Sequence, residues 1–268
     1  VTGVQTCALP ICMILSIVTI AYNSERFGLE KTLHSVISEI DSNPDVEYVV
    51  IDGASTDGSS EIYNRYLDRI NFFSSERDKG ISDAFNKGVR HSAGKYIWFV
   101  NSGDYLVEGA ISSVLNILRV AHEDIFYGDM YWVGGAGKST LLVASKNYEK
   151  KISYVMPFMH PSTLVSREVF EAVGIFDIRL KHAMDYDLFL RAHKYGFKAK
   201  KIDMALSSMT AGGVHDTKYH KTVYEVFRVS FLSGGGLIMA LGAMVYTYLC
   251  QRSATFRVFK GFFKKQSS

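Results

Sequence analysis

Two acidic loops carry the chemistry available to this sequence. Asp52 closes the apolar run Val49-Val50-Ile51 and is followed by Gly53-Ala54-Ser55-Thr56-Asp57-Gly58. Asn101-Ser102-Gly103-Asp104 follows the run Tyr96-Ile97-Trp98-Phe99-Val100. Short apolar runs bounded by Gly, Ser and Asp predict buried strands of a parallel sheet. In open α/β sheets, ligands sit beyond the carboxyl ends of the strands. Carboxylates placed there repel a bare phosphate. They bind ribose or base donors, or hold a divalent cation that in turn holds phosphate. The two loops together point to a nucleotide-diphosphate site with Mg²⁺ or Mn²⁺.

A sheet must position those loops. Residues 14–20, 46–51, 71–73 and 95–100 read as strands, and a further strand begins at 124–127. Between them, Phe27, Leu29, Leu33, Val36, Ile37 and Ile40 recur at helical spacing, and 59–67, 82–91 and 108–121 also read as helices. The βαβα order predicts an α/β fold: a doubly wound, mostly parallel central sheet with right-handed crossovers and flanking helices. A dinucleotide-binding turn needs G-x-G-x-x-G after its first strand. Here that turn is Ala21-Tyr22-Asn23-Ser24, without glycine. Gly137-Lys138-Ser139 resembles the end of a phosphate-binding loop, but Trp132 stands where that motif needs Gly and 141–144 reads as strand, so a hairpin turn is expected.

At 47% hydrophobic, the chain of 268 residues can bury a substantial core, and a net charge of +3 gives no basis for nucleic-acid binding. The first twelve residues carry no charge and so lack the basic start of a signal peptide. They read as a non-native leader, a translated adapter fused ahead of Met13. Discounting Cys7 and Cys12 leaves only Cys250, which excludes an internal disulfide, and no Cys/His cluster has zinc-site spacing. A reducing cytoplasm is the default compartment. The expected organisation is a leader at 1–12, a catalytic domain at 13–225 and a helical tail at 226–268.

Five segments, in order, carry a family resemblance: 16–23 (SIVTIAYN), 50–58 (VIDGASTDG), 78–88 (DKGISDAFNKG), 99–104 (FVNSGD) and 185–191 (DYDLFLR). The set resembles glycosyltransferase family 2, inverting enzymes of the GT-A fold, over about residues 14–215. The resemblance implies a nucleotide cradle from Thr19, Ala21, Tyr22 and Asn23, and contact of Asp52 with base or ribose. It places Lys79 and Gly80 near the diphosphate or sugar, and Asn101 and Ser102 beside the ribose. Asn101 stands where the family's metal motif has its leading Asp, and Asp104 remains as the metal ligand. His215 would complete the metal or phosphate shell. His160, in His160-Pro161-Ser162, would line the acceptor cleft, and Asp185 would be the catalytic base, with Met184 before it where relatives carry Glu. Phe85 stands where relatives often have Arg.

Each assignment has an ordinary structural alternative. Asp52 suits an Asx-turn before Gly; Asn23 or Ser24, Asp57 and Asp104 suit helix caps. Lys79 and Lys87 suit solvated surface, with Lys87 favouring it. Asp187, in the first turn of a helix, reads as structural, and helix-start placement also covers Asp185. His215 also suits an exposed loop.

The implied function is sugar transfer, with inversion, from a nucleotide-diphosphate donor to a hydroxyl of a lipid-linked saccharide in bacterial exopolysaccharide biosynthesis. A degenerate nucleotide-sugar binder or assembly partner is the non-enzyme alternative, motivated by Asn101. A nucleotidyltransferase is the other, although its Gly-rich basic loop after strand one is absent. The tail adds a location. Residues 229–250 carry no charge, and the only charged side chains beyond them are Arg252, Arg257, Lys260, Lys264 and Lys265. A hairpin broken near Gly234–Gly236, or an interfacial helix, would hold the protein peripherally on the inner face of the plasma membrane. The alternative is a helix packed on the domain.

Overall fold

The computed structural model describes residues 13–134, 137–153, 155–210 and 219–252. The leader at 1–12, His215 and the basic residues from Arg257 onward lie outside them. Four strands run parallel in the spatial order β3-β2-β1-β4: β1 Leu15–Ala21, β2 Val46–Asp52, β3 Phe72–Ser75 and β4 Tyr96–Phe99. β1 and β2 are nearly unbroken apolar runs because helices cover both sheet faces. Their residues alternate between two cores. Leu15 and Ile17 face one with Trp98; Val18 and Ile20 face the other with Phe99.

The first core is roofed by α1 (Leu29–Ile40), α2 (Ser59–Asn64) and α4 (Ala110–Leu118), the second by α3 (Ile81–His91), α6 (Arg167–Val173) and α7 (Met184–Tyr195). A short helix, α5 (Tyr148–Lys151), adds Tyr148 to the second core. In α1 the stripe Leu29, Leu33, Val36 and Ile37 is buried, as its spacing predicts.

Beyond β4 the sheet is mixed rather than parallel. β8 (Thr163–Ser166) lies antiparallel between β4 and β6 (Ile125–Val133). β9 (Ala199–Thr210) runs parallel to β6, and β5 (Asp104–Leu106) runs antiparallel along β9. β7 (Ser139–Leu142) pairs antiparallel with the far end of β6, as a hairpin requires and a phosphate-binding loop does not. Periodicity reports that a segment is a strand but not the direction in which it pairs. That is why the mostly parallel expectation holds for the first four strands and for the β6–β9 pair, while β5, β7 and β8 pair antiparallel.

Helix α8 (Tyr219–Ser230) and helix α9 (Gly236–Arg252) pack on each other. The helical path breaks at Gly234 and Gly236, whose φ angles of 78° and 71° are left-handed. Val226, Val229 and Ala243 join the same core as Met184 and Phe189. The domain boundary expected at 225/226 therefore falls inside a helix that belongs to the core. Among the described residues, no helix is long and apolar enough to cross a membrane.

Candidate functional site

The strand order brings the carboxyl ends of β1, β2, β3 and β4 side by side, and hydrogen bonds tie their loops together. The Gly53 N–H donates to Ala21 O at 2.9 Å, and the Ser102 N–H donates to Ile20 O at 3.1 Å. The hydroxyls of Ser24 and Ser102 meet at 2.8 Å. Asn23 accepts the Thr56 N–H at 2.8 Å, and its own N–H donates to Ser55 Oγ at 2.8 Å. Its φ of 48° is a left-handed conformation that Asn tolerates. A Cβ placed on Gly53 would meet Asp78 Oδ2 at 2.8 Å and Tyr22 Cδ2 at 3.2 Å. Glycine there lets three loops close on one another, with the Tyr22 ring left 65% exposed beside them.

Asp52 is buried and fully engaged. It accepts from the Ser55 N–H at 2.9 Å, the Ser55 hydroxyl at 2.5 Å, the Tyr63 hydroxyl at 3.1 Å and the Ser75 hydroxyl at 2.6 Å. This is the Asx-turn alternative realised, and a ligand reaches this carboxylate only by displacing one of those donors. Thr19 departs further from the expected cradle. It is wholly buried, and its hydroxyl donates to Val100 O at 2.7 Å and meets Tyr48 Oη at 2.8 Å. Its side chain supports the sheet and is not offered to the cleft. Ala21 is also buried and contributes its carbonyl.

Asp104 differs from Asp52 in one decisive respect: its carboxylate is buried with no hydrogen-bond or ionic partner among the described residues. Desolvation alone pushes its pKa up to about 8. Three residues earlier, Asn101 Oδ1 is a buried acceptor with no donor. Two orphaned oxygens on one loop fit a hard cation. No cluster of three His, Cys, Asp or Glu side chains assembles among the described residues, so water and phosphate oxygens would complete the shell. The helix-cap alternative for Asp104 fails, because Asp104 opens β5 and the cap of α4 is Gly109.

Lys79 is exposed, and its N–H donates to Asp83 Oδ2 at 3.0 Å. Gly80, at φ 124°, opens α3. Lys87 contradicts its expected solvated role. It is buried, and binds Asp78 at 2.6 Å and Glu76 at 3.1 Å. Burial works against its charge, yet those two acids outweigh it and hold its pKa above the ordinary lysine value. The helix then holds the approach to α7. Ser82 donates to Leu180 O at 2.5 Å, and Asn86 exchanges two 2.9 Å hydrogen bonds with the backbone of Phe176.

Asp185 sits in the first turn of α7, half-buried, with Oδ1 accepting the Tyr186 N–H at 2.7 Å and Oδ2 carrying no partner among the described residues. Asp187 is the structural acid its position predicts, paired with Arg191 at 2.9 Å, which in turn donates to the carbonyls of Gly174 and Ile175. Phe189, one turn beyond Asp185, lies 6.3 Å from the His160 ring, which also packs against Phe85 at 5.0 Å. His160 thus lies on an aromatic floor next to the Asp185 turn.

The strongest contact at this turn was not legible. The Glu225 carboxylate, on α8, accepts the backbone N–H groups of Lys181, His182 and Ala183 at 3.0, 2.7 and 3.0 Å. Contacts to backbone leave no pattern of residue types, so neither Glu225 nor the Ser82 and Asn86 clamps announce themselves in the sequence.

The family model for "Glycosyl transferase family 2" matches residues 16–174. An uncharacterized glycosyltransferase of Haemophilus influenzae is 29% identical over 185 residues, covering 66% of this chain and 70% of that protein. The UDP-Glc:alpha-D-GlcNAc-diphosphoundecaprenol beta-1,3-glucosyltransferase WfaP of Escherichia coli is 24% identical over 217 residues, covering 79% of this chain and 84% of that protein. Among solved structures, Staphylococcus aureus TarS 1-349 in complex with UDP-GlcNAc superposes with a TM-score of 0.67 at 21% identity, covering 82% of this chain and 66% of TarS 1-349. At that identity the likeness is one of fold.

Proposed function

Because the chain belongs to glycosyl transferase family 2 and is a glycosyltransferase, we propose that it moves a sugar, with inversion, from a nucleoside diphosphate to a hydroxyl of a lipid-linked saccharide. The observation that carries the reading is the contrast between two carboxylates. Asp104 is buried without a donor, on the same loop as the orphaned Asn101 oxygen, as a cation ligand would be. Asp185 keeps one oxygen open at the start of α7 and is suited to take a proton.

In this reading Tyr22 and Asn23 flank the base and ribose, and Asp52 offers an acceptor to the nucleoside after releasing a local serine. Lys79 reaches the diphosphate from the start of α3. A divalent cation bound by Asp104 and Asn101 would neutralise the leaving diphosphate. Asp185 removes the acceptor proton as the hydroxyl attacks the anomeric carbon from the side opposite the leaving group. His160 lines the acceptor side. The acceptor class is supported by the WfaP relative, whose name specifies a diphosphoundecaprenol-linked sugar.

Peripheral attachment to the inner face of the plasma membrane is supported by the surface of α9 and of the break that precedes it. Leu232 is 70% and Ile238 86% exposed, with Leu237 and Val245 also on the surface. The alternative of packing on the domain describes α8, whose Val226 and Val229 are buried, better than it describes the exposed side of α9.

The test is transfer from UDP- and GDP-sugars, with Mn²⁺, to a synthetic diphosphate-lipid-linked GlcNAc, with the anomeric configuration of the product read by NMR. Inverted product supports the proposal. Nucleotide binding without release of sugar to any acceptor or to water would favour the degenerate binder, and a retained configuration would remove Asp185 from the role of base.

A further inference from the structure

The face of α8 that carries Glu225 holds an open cavity of about 390 Å³ lined by Arg179, His220, Lys221, Tyr224, Glu225 and Arg228. Its charges do not balance. Four cations, Arg179, Lys181, Lys221 and Arg228, stand at this face and its adjoining turn against two carboxylates: Asp177, which pairs with Arg179 at 2.7 Å, and Glu225, which is held by the three backbone N–H groups of residues 181–183. Lys221 and Arg228 lie on the cavity wall and Lys181 on the adjoining turn; Arg228 feels the charge of Asp177, and none of the three has a carboxylate within 4.0 Å among the described residues. Lys181 also adjoins the donor side, since a Cβ on Gly80 would lie 4.0 Å from its Cε. An excess of positive charge therefore sits against the turn that delivers Asp185.

The same helix face then changes character. Lys221, Tyr224 and Arg228 follow one another at i, i+3 and i+7, on one side of the helix. Leu232 follows in the next turn, and Leu237 and Ile238 open α9, all three exposed. Cation, aromatic, cation and apolar surface follow in that order. The matching ligand is anionic at one end and hydrocarbon at the other, with its anion beside the turn that leads into Asp185.

Resting on the acceptor reading above, we infer that this cavity binds the diphosphate of the lipid-linked acceptor, with Lys221 and Arg228 on the phosphates and the lipid chain running along Leu232 toward α9. The saccharide attached to that diphosphate then lies next to Asp185. Tyr224, exposed between the two cations, supplies a flat surface for the first isoprene unit or sugar.

The experiment is calorimetric titration of the full chain with farnesyl diphosphate, in saturating UDP and Mn²⁺ so that the donor site is filled. Farnesol and inorganic pyrophosphate serve as half-ligands, and phosphatidylglycerol vesicles as a bulk anionic surface. The inference expects farnesyl diphosphate to bind, pyrophosphate to compete with it, and farnesol to bind far more weakly. Lys221→Gln with Arg228→Gln should weaken farnesyl diphosphate by at least about tenfold, the scale of one charge-assisted hydrogen bond. UDP affinity should stay unchanged, which also certifies folding. Lys221→Glu alone provides a second variant with the same expectation. Unchanged farnesyl diphosphate affinity in both variants overturns the inference. So does a pattern in which the variants lose vesicle binding alone, because the cations would then serve the membrane at large. Failure of UDP to bind the unaltered chain would sink the donor reading instead, and the farnesyl diphosphate titration would still decide this one.

Discussion

The Glu225 carboxylate accepts the Ala183 N–H at 3.0 Å, two residues ahead of Asp185. With the N–H groups of Lys181 and His182 it pins the turn that leads into α7. A residue of α8 thus fixes the backbone from which the proposed base projects. Glu225→Ala should lower kcat by about tenfold, the scale of one lost charge-assisted hydrogen bond, while leaving UDP affinity and donor KM unchanged. If Glu225 acts through Asp185, the loss should shrink to under about twofold in the Asp185→Asn background, because coupled residues are not additive. Equal losses in both backgrounds would mean a general structural role.

Asp185→Asn preserves side-chain shape and removes the base. Donor affinity should hold while transfer falls by about a hundredfold or more, the usual contribution of a general base. Near-normal transfer, measured by UDP release coupled to acceptor glycosylation, would assign deprotonation elsewhere.

Asp104 ties the proposed cation to pH. Its folded pKa, pushed up to about 8 from an ordinary 3.8, means that the folded protein holds a proton there that the unfolded chain has already lost. Its contribution to metal-free stability is therefore present at low pH and fades as pH rises through this interval. The melting temperature without metal should fall from pH 5 to 8 more steeply than that of Asp104→Asn. Cation binding, which needs the carboxylate, should strengthen over the same window. Nucleotide affinity of Asp104→Ala should lose its dependence on Mn²⁺. Parallel melting curves for the two proteins would contradict this account.

These residues also show what the sequence could reveal. The placement of Asp52, Asp104 and Asp185 was legible because Asp52 ends a strand, Asp104 follows one by a short loop and Asp185 opens a helix, and chain order alone puts strand ends together. Thr19 was misleading: alternation along β1 sends its hydroxyl into the sheet, toward Val100 and Tyr48. Lys87 reads as surface until the fold sets Asp78 and Glu76 against it. The partner of Asp104 in the sheet is Met209, more than a hundred residues away. That pairing turned an expected loop before α4 into β5. Glu225 was invisible because its partners are amide groups, which every non-proline residue carries.

Ala54 offers a test of backbone strain in the proposed nucleotide loop. Its φ of 61° is left-handed, a region that costs an L-residue energy unless glycine occupies it. Ala54→Gly should stabilise the protein by about 0.5 to 1 kcal/mol after the entropy cost of glycine is subtracted. Chemical denaturation reads this directly. Gly53→Ala should do the reverse and also weaken UDP, because the added Cβ meets Asp78 and Tyr22.

The membrane proposal rests on side chains that the core does not use. Leu232, Leu237 and Ile238 are exposed, whereas Val226 and Val229 of the preceding helix are buried in the core beside Met184. Truncation after Glu225 would therefore remove part of the core along with the tail, and a loss of binding would be ambiguous. Substituting Leu232, Leu237 and Ile238 together by Ser removes exposed apolar surface and should change stability by only about 0.5 kcal/mol at each site. The variant should lose most of its sedimentation with phosphatidylglycerol vesicles while binding UDP as before. If vesicle binding survives all three substitutions, the apolar surface of α9 and of the break that precedes it is not what holds the protein to lipid.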